Sequence, residues 1–78
     1  MRDKQLRLIV TFHTTTSAMA MEKVCTERNV PGRLIPVPRD ITAGCGMAWS
    51  APTEVRSIIE NTVREAGIEM AGWYELMV

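Results

Sequence analysis

Cys45 closes the segment Pro36-Val37-Pro38-Arg39-Asp40-Ile41-Thr42-Ala43-Gly44-Cys45-Gly46, and that setting suits a thiol that reacts with something outside the protein. Two prolines two residues apart fix φ and remove backbone donors, so the chain enters the loop extended. Glycines on both sides of Cys45 leave its sulfur unshielded by neighbours and let the backbone take unusual angles. The competing reading is a small apolar residue filling a tight turn. The second cysteine, Cys25, falls on a burying pattern: Ala18, Met21, Val24 and Cys25 repeat three and four apart, as one face of a helix does. A free cysteine there behaves as a small hydrophobe with an inert thiol. The two thiols have neither zinc-ligand spacing nor a C-x-x-C pair, and the chain has a single histidine. No structural metal, disulfide staple or cofactor is expected.

Hydrophobic periodicity predicts the elements that must position Cys45. Leu6 to His13 reads as a strand, with Leu6, Leu8, Val10 and Phe12 on one side and Arg7, Ile9, Thr11 and His13 on the other. Thr14-Thr15-Thr16-Ser17 offers N-caps for a helix running to about Asn29, where Pro31-Gly32 stops it. Arg33 to Val37 is a short second strand, which Pro36 marks as an edge, and Gly46 to Ser50 is a third. Ala51-Pro52-Thr53-Glu54 opens a second helix lined by Val55, Ile58, Ile59, Thr62, Val63 and Ala66. It carries an outward Glu60–Arg64 pair and ends at Gly67. Met70 to Val78 is a last strand.

The order βαββαβ in 78 residues predicts a single α+β domain, the ferredoxin-like split βαβ sandwich. Its four-stranded antiparallel sheet has strands one and three at the centre and both helices on one face. The first strand then ends beside the start of the third, and the first helix begins at the same edge with its free amides and positive dipole end. His13, Thr14, Thr15, Arg39, Gly44, Cys45 and Gly46 are therefore expected at one end of the sheet, with amides around Gly44 and Gly46 as an anion nest. Such groups favour a thiolate. His13 could instead bond solvent or a threonine hydroxyl, and Arg39 could be a solvated loop charge.

A lone reactive thiol permits few jobs. No second cysteine stands nearby to resolve a disulfide, which disfavours dithiol redox chemistry. A Cys-His hydrolase needs a cleft and an orienting third group that so short a chain can hardly enclose. Covalent carriage of sulfur or selenium, as Cys-S-SH or Cys-S-SeH, needs only exposure, a favoured thiolate and a docking surface.

Composition sets outer bounds. The chain is 46% hydrophobic and 23% charged, with nine basic and nine acidic residues and no net charge, which gives no help toward nucleic acid or an anionic membrane. No apolar run is long enough for a membrane span or a secretory signal, so the cytoplasm is the expected compartment. Trp49 and Met47 share one side of the third strand, and Trp73 and Met77 one side of the last. Pointing away from the helices beside Ile9, they would make an exposed apolar patch, the basis for expecting a homodimer through the sheet face.

Thr11-Phe12-His13 with its Thr/Ser cluster, Met21-Glu22-Lys23, Arg33-Leu34-Ile35-Pro36-Val37-Pro38-Arg39 and Cys45-Gly46-Met47-Ala48 resemble the selenium/sulfur carrier protein-like family, small bacterial and archaeal proteins. The resemblance runs from about Leu8 to Tyr74. It implies a prokaryotic carrier rather than a turnover enzyme, with Cys45 as the chalcogen-bearing residue and Arg39 and Gly46 in its loop. A cysteine desulfurase-type or selenium donor and an acceptor protein would be its partners. Members often have serines just before the cysteine, whereas this chain has Thr42-Ala43-Gly44. The alternative is a non-catalytic ferredoxin-like binding or regulatory module, with Cys45 a turn residue or a thiol redox sensor.

Overall fold

Alternating side chains give the sheet two unlike faces, and strand register decides which residues meet the helices. The computed structural model describes residues 5–38, 41 and 45–77. Over these the chain forms β1 (Leu6–Thr11), α1 (Thr15–Glu27), β2 (Arg33–Pro36), β3 (Met47–Pro52), a 3₁₀ turn (Thr53–Val55), α2 (Arg56–Ala66) and β4 (Gly72–Met77). The strand order is β2-β3-β1-β4 with every pair antiparallel. This is the expected ferredoxin-like arrangement, with β1 and β3 central and the proline-bearing β2 on an edge.

Val10 pairs with Trp49 and Trp73, and Leu8 with Ala51 and Glu75, so these residues share one face. There they pack with Phe12 and with Ala18, Met21 and Cys25 of α1 and Ile59 and Val63 of α2. Leu8, Phe12, Met21 and Ile59 are fully enclosed, and burying such a side chain stabilises the fold by roughly 1.5–3 kcal/mol.

The tryptophans therefore turn toward the helices, which corrects the expected exposed patch of Trp49, Trp73 and Met77 beside Ile9. Ile9 pairs with Ser50 and Tyr74, one residue out of step with both tryptophans, and alternation sends those to the opposite face. Trp49 is 2% exposed. Met77 is exposed, but at the end of β4 and with the parity of the helix side. The face away from the helices instead holds Ile9, Ala48 and Ile41, with Ile35, Val37 and Leu76 packed against them. Val37 and Ile41, which follow β2, thus lie over part of this face.

Element boundaries differ from the periodicity in instructive ways. β3 continues through Ala51 and Pro52, which pair with Leu8 and Arg7, and a 3₁₀ turn rather than these residues leads into α2. Ile58 and Ala66 are exposed, because Ile59, Thr62 and Val63 hold the buried stripe and Ile58 lies about 100° around the helix from Ile59. The Glu60–Arg64 pair is not formed. Glu60 accepts from Arg56 at 3.3 Å, while Arg64 donates to Asn61 at 3.4 Å. Glu75 also binds Arg56 at 3.0 Å and holds it 5.7 Å above the Trp73 ring, so the guanidinium is already beside Glu60. Gly67 ends α2 in the left-handed conformation, and the Ile68 amide closes onto the Val63 carbonyl at 3.1 Å.

Candidate functional site

Cys45 lies in the turn that delivers the chain into β3. Gly46 follows with φ 75°, and a Cβ there would meet nothing within 4 Å; the glycine is required by the backbone angle, not by crowding. Its carbonyl accepts the Val37 amide at 3.0 Å, which ties the two ends of the loop together. The Cys45 side chain is half-buried and packs against the helix-side core, and its Sγ donates to the Met47 carbonyl at 3.5 Å. That bond needs the thiol proton, so the thiolate is released from Met47.

β1 and β3 set the neighbours of this turn. Thr11 pairs with Ala48, so the residues after Thr11 and those before Ala48 leave the sheet at the same end. His13 is exposed there, beyond the end of β1. Thr14 is the N-cap of α1: its extended backbone (φ −132°, ψ 153°) lets Oγ1 accept the Ser17 amide at 3.1 Å, and its carbonyl accepts the Ala18 amide at 3.2 Å. Thr15 begins the helix, and no acidic side chain lies in the first turn, so the positive end of the helix dipole is not offset. Thr14→Ala would leave the Ser17 amide without its partner and cost about 1 kcal/mol, read as a lower urea midpoint with an unchanged slope.

His13, Thr14, Thr15, Cys45 and Gly46 thus share one end of the sheet. Among the described residues no hydrogen bond joins Cys45 to His13 or to the Thr14–Ser17 segment. Arg39 and Gly44 lie outside the described residues. Sequence reasoning passed over Ile41, which is 7% exposed and packs with Ile9 and Ala48 on the face away from the helices. The available signal was an isolated large apolar side chain in a polar loop.

Cys25 is the contrasting thiol. It is fully buried on α1, and burial pushes its pKa up to about 11, with the Arg28 charge pulling partly the other way. Among the described residues, no group of three or more His, Cys, Asp or Glu could hold a metal ion, and no helix is long and apolar enough to cross a membrane.

A family model described as "Putative Se/S carrier protein-like" matches residues 7–75. No curated protein and no solved structure matches the chain.

Proposed function

From the premise that the chain belongs to the Se/S carrier protein-like family, we propose that it carries sulfur or selenium on Cys45 between a donor and an acceptor protein. The observation that carries this reading is the division between its two thiols: Cys45 half-exposed in a turn, Cys25 sealed in the core with its pKa raised to about 11. In loading, the Cys45 thiolate attacks the outer sulfur of a donor persulfide. The donor S–S bond breaks as a new one forms at Cys45, and the donor departs as a thiolate. The outer sulfur keeps its proton, and no external oxidant is consumed. The uncompensated end of α1 at this edge of the sheet favours the anionic form of the product. Such a carrier needs thiols that stay free, which fits a reducing cytoplasm in a prokaryotic cell.

The test uses Cys25→Ala protein incubated with a cysteine desulfurase and cysteine, followed by intact-mass analysis. A gain of one sulfur atom, lost on reduction and absent from a Cys25→Ala/Cys45→Ser protein, is the expected result. No gain, or a gain that survives in the double variant, overturns the assignment to Cys45; no gain favours a binding or regulatory module.

A further inference from the structure

Arg33, Ser50, Ile9 and Tyr74 are neighbours across one row of the sheet, on the face away from the helices. Arg7 reaches into the same row, donating from Nε to Ser50 Oγ at 3.1 Å and from Nη2 to the Ser50 carbonyl at 3.4 Å. Ile9 is fully buried and Ser50 is 4% exposed although no helix covers them; Ile9 packs with Ile41 and Ala48, with Val37 and Leu76 against that cluster, and Arg7 lies against Ser50.

Neither Arg7 nor Arg33 forms an ion pair among the described residues, whereas Arg28 and Arg56 both do. The described carboxylates lie elsewhere, on α1, the 3₁₀ turn, α2 and the turn after it. The remaining one, Glu75, is turned to the helix side by its pairing with Leu8. Among the described residues, therefore, Arg7 and Arg33 stand on the face away from the helices and the carboxylates on the helical side.

That polarity selects among occupants. A second copy set face to face would oppose like charges, because a two-fold interface brings the same patch onto itself. Nucleic acid would meet few cations, and the residues of the central strands on this face, Ile9, Thr11, Ala48 and Ser50, are buried, which leaves Tyr74 of β4 as the one exposed aromatic there among the described residues. Guanidinium forks match carboxylates. We propose that this face docks an acidic surface of a partner protein, gripped by Arg7 and Arg33. The carrier reading enters only in making that partner the chalcogen donor.

Two measurements test the proposal separately from the chemistry. In the first, a polyglutamate peptide is titrated into labelled protein and amide shifts are followed. Movement at Arg7, Arg33, Ser50 and Tyr74, abolished by salt and by Arg33→Glu, supports docking. No movement, movement on the helices alone, or stronger movement with an oligothymidylate of equal charge overturns it. In the second, Arg33→Glu is expected to slow Cys45 loading by a cysteine desulfurase about tenfold at low salt and to flatten the salt dependence. Loading by glutathione persulfide, too small to need the face, stays unchanged. Equal desulfurase rates in wild type and variant overturn the docking, whereas failure of both donors to load wild type overturns only the carrier reading.

Discussion

Iodoacetamide added to the native protein at pH 8 will modify Cys45 and leave Cys25 intact until the fold opens. Cys25 has no exposed surface, and desolvation lifts its pKa from 9.0 to about 11. At pH 8 roughly one such thiol in a thousand is ionised in place. Opening of a domain with ~5 kcal/mol of stability is rarer still. An accessible thiol is itself only about a tenth ionised at this pH, so ionisation alone sets Cys25 ~10²-fold behind it, and the need for opening sets it at least ~10³-fold behind, a ratio that peptide mapping of a labelling time course measures directly. Comparable labelling of both cysteines would refute the division of roles. The same burial links stability to pH. The native pKa of about 11 exceeds the unfolded value of 9.0, so the unfolded chain loses its proton first as pH rises. This contribution is complete below pH 9, declines between 9 and 11, and amounts to roughly 2–3 kcal/mol. Cys25→Val has no proton to lose, so its urea midpoint should fall less over that window than that of wild type.

The fold was legible in the sequence wherever one period ran without interruption. Leu6 to Thr11 is a run of apolar and β-branched residues, Ala18, Met21 and Cys25 recur at helical spacing, and Gly67 ends α2 as its type demands. Local rules failed where pairing overrode them. Pro52 looked like the first turn of a helix, yet its partner Arg7 holds it at the end of β3. The tryptophans failed for a related reason. Side-chain parity within β3 and β4 was readable, but which parity faced the helices depended on register against β1, a non-local choice. Of the site, the Cys45 turn and the Thr14 cap could be anticipated from residue type alone. The part played by Ile41 could not, since its contacts with Ile9 and Ala48 span the loop and two strands. The meeting of Arg7 and Arg33 around Ser50 was hidden as well, because it depends on the register of β3 against both β1 and β2.

Gly32→Ala will remove a large share of the domain's stability. Gly32 has φ 140°, in the region that side-chain-bearing residues avoid, and an added Cβ would lie 2.4 Å from Trp49 Nε1, 2.6 Å from its Cε2 and 2.8 Å from the Ser50 carbonyl oxygen. None of these can yield cheaply. The indole is 2% exposed within the main core, and the carbonyl belongs to a central strand. Overpacking costs about 1–3 kcal/mol and the backbone conformation about 1–3 kcal/mol more. Against a total of ~0.05–0.15 kcal/mol per residue, that is enough to bring the protein close to unfolding at ambient temperature. Trp49 Nε1 is buried without a hydrogen-bond partner among the described residues, so packing alone fixes the indole, and displacing it breaks no bond that could re-form elsewhere. The displacement would travel. Arg33 follows Gly32 and pairs with Ser50, while Leu34 pairs with Trp49 itself, so β2 shifts with the ring. Trp49→Leu ends at its Cδ atoms and leaves nothing where the new Cβ would strike Nε1 and Cε2. The double variant should therefore lose at least ~1 kcal/mol less than the sum of the single changes, a coupling that urea unfolding of all four proteins resolves. Strict additivity, or a Gly32→Ala protein within ~0.5 kcal/mol of wild type, would show that the close approach of Gly32 to Trp49 is not what holds β2 in place.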